Sequence, residues 1–172
     1  MIPMMRHIAG WLAPDFAGRK PRLVDEWPYV TAQTASGLGP DQYAEFVHPY
    51  NSRIAALYTH KTVYYHGCEC LDQKLPIISI LPNLRRHHVS PWSSVKMAAN
   101  HYRGAVNLEV HAHPGKVFFG NTREDMRAEL QRLVADAAGH PMNLNLSDIH
   151  SVNGNPATLR IWTEEAQKVS GR

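Results

Sequence analysis

Only two cysteines occur in the 172 residues, and they stand one residue apart in the stretch YYHGCEC, residues 64–70. That spacing rules out a stapling role, because next-but-one extended positions hold their Cα atoms awkwardly for a relaxed disulfide. It also leaves the chain without a C-x-x-C redox motif. A reduced thiol pair is expected, and with it a cytoplasmic setting. Long apolar runs are missing as well. The opening MIPMMRHIAGWLAP is interrupted by Arg6, His7 and Pro14, so it lacks the continuous apolar region of a secretory leader. No later run approaches the ~20 apolar residues that a bilayer span needs. A soluble chain with no membrane partner is expected. Charge of one sign is scarce: 18 Lys and Arg against 15 Asp and Glu leave a formal +3. The cations are interspersed with acids, which excludes the basic stripe that nucleic-acid binding favours. The one local cluster is Arg85, Arg86, His87 and His88. It reads either as a solvated or partly buried strand end, or as a contact to an anion or carboxylate.

What remains is the composition of a soluble globular domain, 44% hydrophobic and long enough for one core. From residue 23 the chain repeats a short β-branched or aromatic run, a polar turn and a segment with helical spacing, which is the phrase of a parallel α/β protein. The runs predict strands at 27–33, 61–67, 84–90, 105–111 and 142–148. Helical material is predicted at 41–57 with a break at Pro49, then at 71–80, 93–102, 123–138 and 156–169. Two starts carry capping chemistry: Asn121-Thr122 before Glu124 and Asp125, and Asn155 before Pro156. Residues 1–22, with Gly10, Pro14, Gly18 and Pro21, read as an irregular lead-in to a domain spanning 23–172.

Five βα phrases admit an open doubly wound sheet or part of an eight-stranded barrel. Strand faces bear on the choice, because alternate side chains point to opposite sides. In AVNLEVHAH, Val106, Leu108 and Val110 share one face, while Asn107, Glu109, His111 and His113 share the other. In MNLNLSD, Leu144 and Leu146 oppose Asn143, Asn145 and Ser147. A strand sandwiched between helices is apolar on both faces. Polar rows point instead to a cavity or a barrel mouth.

His66 and Cys68 project to the same side as Tyr64, at the C-terminal strand end where α/β proteins place their chemistry. An imidazole and a thiolate so placed suit Zn²⁺, which prefers nitrogen and sulfur ligands in a tetrahedral shell. Two ligands are too few, and Cys70, Glu109, His111, His113 and His150 are candidates for a third. The alternative is a small buried thiol beside a satisfied histidine. His88 is a ligand contact or a packed strand histidine, and Trp92 a pocket wall or plain packing. Asp148 and His150 form a base or ligand pair, or else Asp148 caps a turn made by Asn153-Gly154. Gln33, at the end of the first strand, is a candidate substrate contact.

Taken together, the stretches EFVHPYNSRIAALY, VYYHGCECLDQKL, ILPNLRRHHVSPWSSV, AVNLEVHAHPG and LNLSDIHSVNGNPATLRIW resemble, in this order, the second half of the uroporphyrinogen decarboxylase superfamily. That superfamily contains the decarboxylase and the corrinoid-dependent methyltransferases. The resemblance runs over residues 27–169 and is most specific in PNLRR-x-x-VSPW and YHGC. It implies a (β/α)8 TIM barrel of which this chain supplies approximately the fourth to eighth βα units. The first three are missing, so Met1 reads as an internal start, a split gene or a truncated frame.

In the methyltransferase branch, Zn²⁺ held by H-x-C and a later cysteine activates a thiol to accept a methyl group from a corrinoid. The resemblance carries the first two ligands to His66 and Cys68. The family's later cysteine has no counterpart, since Ser147, Asp148 and His150 stand at the last strand end; by the resemblance, either Glu109 or His113 completes the metal set or metal binding has weakened. Where related members have lysine-proline-asparagine-proline, this chain has His111, Ala112, His113 and Pro114. The decarboxylase branch recognises tetrapyrrole carboxylates through an N-terminal arginine-rich motif and an early aspartate that this chain lacks. The implied function is methyl transfer from a corrinoid to a thiol, with a small molecule or a corrinoid protein as substrate. Alternatives are a tetrapyrrole decarboxylase-like enzyme and a half-barrel inactive without a partner. Half a barrel leaves unpaired edges at the first and last strands, which predicts a homodimer or a barrel-completing partner.

Overall fold

The structure, a computed structural model, describes residues 29–58, 62–119 and 122–171. The expected lead-in, the first residues of the first predicted strand, and Asn121 lie outside the described residues. Each of the five predicted runs forms a strand: β1 (Tyr29–Thr31), β2 (Val63–His66), β3 (Leu84–Val89), β4 (Asn107–His111) and β5 (Met142–Asn145). Among the described residues, β3 and β5 stop before the ends of the runs that predict them, and β4 starts after the beginning of its own.

All four pairings are parallel and the sheet order is β1-β2-β3-β4-β5. A doubly wound sheet reverses its strand order at a switch point, and this one does not. Adding each strand beside the last through right-handed crossovers sends every connecting helix to the same side. Val30, Val63, Tyr65, Val89, Leu108 and Val110 accordingly belong to a single core cluster with helical residues such as Tyr43, Ile54, Ile78, Ala98 and Leu130.

The connecting helices are α1 (Pro40–Phe46), α2 (His48–Ala55), α3 (Leu75–Ile78), α4 (Val95–Tyr102), α5 (Pro114–Phe118), α6 (Arg123–Ala137) and α7 (Ala157–Val169). The predicted break at Pro49 falls at Val47 instead. Pro49 sits in the first turn of α2, where a missing N–H costs nothing. α4 begins at Ser94, whose hydroxyl accepts from the Met97 N–H, and ends at Arg103 in the left-handed region. α5 was not foreseen, since five residues after a proline show no helical period. α6 opens with the expected cap: the Thr122 side chain accepts from the Asp125 N–H, and Asp125 accepts from the Thr122 N–H. α7 starts one residue later than predicted, with Asn155 Oδ1 accepting from the Ala157 N–H at 3.2 Å.

α6 and α7 are tied by Glu165, whose buried carboxylate receives Arg123 Nε and Arg127 Nε, each at 2.6 Å, and Lys168 Nζ at 3.0 Å. Among the described residues no helix is long and apolar enough to cross a membrane.

Candidate functional site

Parallel register carries the polar row of one strand onto the next. Tyr64 pairs with Arg86, His88 with Glu109, and Glu109 with Asn143. With His66 from β2 and His111 from β4, these side chains gather on the face opposite the helices, as the alternation predicts. The face is not an open polar surface. His88 is 1% exposed, and Glu109 and His111 are each 7% exposed.

Burying a carboxylate demands partners, and Glu109 has three. Its Oε2 is ion-paired with Arg86, and its Oε1 accepts from the Tyr64 hydroxyl at 2.6 Å and from His111 Nε2 at 2.9 Å. Burial alone would push this carboxyl up. The hydrogen bonds from His111 and Tyr64, with the charge of Arg86, outweigh it and hold the pKa at about 2. His111 Nδ1 lies 2.6 Å from the Ser147 hydroxyl, beyond the end of β5. Arg86 lies over the Tyr64 ring, 5.2 Å from its centroid.

His88 is wedged between two other imidazoles, stacked on His66 and tilted against His111, with centroids 4.1 Å away in both cases. Both its ring nitrogens are buried with no hydrogen-bond partner of good geometry among the described residues, although the Gly67 backbone lies near enough to oppose the lowering of its pKa. Burial, then the charges of His111 and His66, push its pKa down to about 3. His66 is lowered by burial and by His111, against the opposing pull of Glu109 and Asp148.

The thiol sits where β2 ends. Cys68 Sγ lies 3.1 Å from His66 Nε2 and accepts from Gln33 Nε2 at 3.0 Å. Tyr64 closes the other side of His66, its oxygen 3.0 Å from Nδ1. The loop that presents Cys68 is pinned. Ser90 Oγ donates to the Glu69 carbonyl at 2.7 Å, and buried Lys74 reaches both Glu69 Oε1 and the Ala35 carbonyl at 3.1 Å. A Cβ at Gly67 would lie 3.0 Å from Leu71 Cδ2 and 3.2 Å from Glu69 Oε2, so a side chain there would crowd both neighbours. Both cysteines are free, and Cys70 is exposed.

Of the residues expected here, the fold brings together Gln33, His66, Cys68, His88, Glu109 and His111. Asp148 lies near enough for its charge to act on His66, and is exposed with a φ of 56°. His150 is exposed and bonds to none of them. His113 has other work: its Nδ1 accepts from the Gly115 N–H as the cap of α5, and its ring packs against exposed Trp92 at 5.5 Å. Tyr64 and Ser147 carried no assigned role from sequence, whereas Arg86 belongs to the cluster read as a strand end or a carboxylate contact, and here it pairs with the Glu109 carboxylate. The signal for all three was present, since strand alternation places them on the face of Glu109 and His66. Among the described residues, no group of three His, Cys, Asp or Glu side chains is gathered closely enough to hold a metal ion.

No family model matches the sequence, and no curated protein matches it.

Proposed function

We propose that this chain is the C-terminal part of a barrel enzyme of the uroporphyrinogen decarboxylase superfamily, on its methyltransferase-like side, with His66 and Cys68 as ligands of Zn²⁺. The sequential parallel order and the polar face opposite the helices support a partial α/β barrel, and its assignment to approximately the fourth to eighth βα units rests on the sequence resemblance.

The observation that carries the reading is the pairing of His66 Nε2 with Cys68 Sγ at 3.1 Å. Two ligands of one tetrahedral zinc lie about 3.5 Å apart when one is nitrogen and the other sulfur, so a small adjustment admits the ion. Imidazole nitrogen and thiolate sulfur are donor types that suit zinc, and this reading takes His66 and Cys68 as its protein ligands. Glu109, a candidate third, has its oxygens occupied by Arg86, Tyr64 and His111. Zinc bound here would supply Lewis acidity that lowers the pKa of a thiol substrate. The protein's own part is to present Cys68 on a pinned loop, with the Gln33 amide donating to its sulfur. A tetrapyrrole decarboxylase would have no use for that thiol, which favours the methyltransferase side. The methyl donor in this reading is a corrinoid, free or protein-bound.

Elemental analysis tests it. Purified protein is expected to carry about one zinc per chain, lost in both His66→Ala and Cys68→Ala. Stoichiometric zinc that survives both substitutions rejects the site.

A second reading rests on the sheet edges. Among the described residues β1 and β5 are outermost, and a groove of about 490 Å³ runs between β5 and α7, lined by Met142, Leu144, Trp162 and Ala166. Such an edge favours a homodimer or a barrel-completing partner. Light scattering on the purified chain tests this, and a monomer with one cooperative melt counts against it.

A further inference from the structure

We infer that Glu109 and Tyr64 are positioning residues that hold His66 in the tautomer whose Nε2 lone pair faces Cys68. The argument is an accounting of protons along one hydrogen-bonded chain. Glu109 is ion-paired with Arg86 and accepts from His111 at 2.9 Å. A carboxylate so held is ionised and can only accept. The Tyr64 hydroxyl has a single proton, which it donates to Glu109 Oε1 at 2.6 Å. Its oxygen, 3.0 Å from His66 Nδ1, therefore accepts, and Nδ1 carries the ring proton.

The neutral ring then leaves Nε2 bare, 3.1 Å from Cys68 Sγ, and the thiol donates to it. Loss of that thiol proton leaves a nitrogen and a sulfur lone pair converging on one region. The opposite tautomer would aim an N–H at the sulfur and leave Nδ1 facing an oxygen whose only proton is already committed. It would lose the Tyr64 bond and block the approach of a cation. The outer hydrogen bond of a histidine selects which nitrogen can ligate. Here that bond reaches an acid on β4 through a tyrosine on β2, and Arg86 on the intervening β3 fixes the acid. Glu109 would thereby act on a metal held there only through Tyr64 and His66, as a positioning residue and not as a ligand.

The consequence for metal binding rests on the zinc reading above, whereas the tautomer does not. The test uses the full chain labelled with ¹⁵N-histidine, examined metal-free by two-bond ¹H–¹⁵N correlation and then titrated with Zn²⁺. The wild-type His66 ring is expected to be protonated at Nδ1. Tyr64→Phe keeps the aromatic ring but removes the acceptor. It is expected to move the His66 proton to Nε2, in whole or in part, and to weaken zinc binding about 10- to 100-fold. A wild-type His66 protonated at Nε2 overturns the inference, with no variant needed. So does a Tyr64→Phe protein with both tautomer and zinc affinity unchanged. A wild-type Nδ1–H ring in a protein that takes no zinc leaves the positioning role standing and removes the zinc reading alone.

Discussion

The His66 and His88 rings lie face to face, their centroids 4.1 Å apart and their planes 6° from parallel. Two imidazolium ions cannot share that geometry, and His88 also meets His111 at 4.1 Å. The stack therefore holds its central ring neutral, with both nitrogens of His88 buried and without a hydrogen-bond partner among the described residues. One strand position earlier, His87 lies on the opposite face, 1% exposed, with its Nδ1 3.2 Å from the Tyr102 hydroxyl.

Acid sensitivity follows from these two residues. His87 and His88 have pKa values pushed down to about 3, by burial first and then by neighbouring histidines, from an ordinary 6.5. The unfolded chain takes up their protons below 6.5 and the folded chain does not. Their contribution is thus complete above 6.5 and lost as the pH falls toward 3. Over the first pH unit below 6.5 the pair together costs about 2 kcal/mol of stability. Urea unfolding at stepped pH measures this, and His88→Gln is expected to remove about half of the slope. A flat profile across that unit contradicts it.

Glu109 titrates in a separate, more acidic window. Its pKa, held at about 2 against an ordinary 4.5, gives stability that is complete above 4.5 and lost as the pH falls to 2. Arg86→Met removes the charge partner of this buried acid and is expected to cost about 2–3 kcal/mol at neutral pH. The same variant raises the Glu109 pKa, so the difference from wild type narrows as the acid becomes protonated. Paired denaturation curves near neutrality and near pH 4 read out both effects. Equal losses at the two values would show that Arg86 acts through packing alone.

Between α6 and α7, the Glu165 side chain is 0% exposed and serves three cations that reach it from solvent. Its pKa is held well below the usual carboxylate range, first by Arg127, then by Arg123 and Lys168. Glu165→Ala strips the shared acceptor, whereas each single cation variant leaves two donors in place. The melting temperature is expected to fall by several degrees in Glu165→Ala, and by less in Arg123→Ala, Arg127→Ala or Lys168→Ala. A Lys168→Ala protein that melts as low as Glu165→Ala would place the weight on one pair.

The capping box at Thr122 is a local device with a local cost. Thr122→Ala is expected to destabilise by about 1 kcal/mol, and Thr122→Ser to restore most of it. Leu108, 0% exposed at the centre of the sheet, sets the comparison: Leu108→Ala is expected to cost about 2–5 kcal/mol. Chemical denaturation of the three variants orders them. A cap variant as costly as the core variant would mean that α6 docks only when capped.

The elements legible from sequence are those whose signal lies within a few residues. The strands announce themselves locally, β1, β2 and β4 by β-branched or aromatic residues and β5 by the alternation of Leu144 and Leu146 with asparagines, and α6 by Thr122 followed by two acids. α5 gave no such signal, because five residues around Pro114 and Gly115 are too few to show a period. Gln33, His66, Cys68, His88, Glu109 and His111 were readable as site candidates from their strand-end positions. Arg86 was readable as a carboxylate contact, which its pairing with Glu109 matches, while Tyr64 stands on the same alternating face without a local signal of its own.

By itself, then, the sequence determined which side chains of each strand share a face, because a period of two is a local property of extended backbone. Only the tertiary structure decided which strands are neighbours and in what register, and that is a long-range property. Register made Glu109 the common partner of Arg86, Tyr64 and His111, where sequence proposed a metal ligand. It set His88 between two imidazoles, and it turned His113 from a candidate ligand into the cap of α5. Burial supplied the reason: an acid taken out of water must collect donors from whichever strands lie beside it, and the chain order alone does not say which those are.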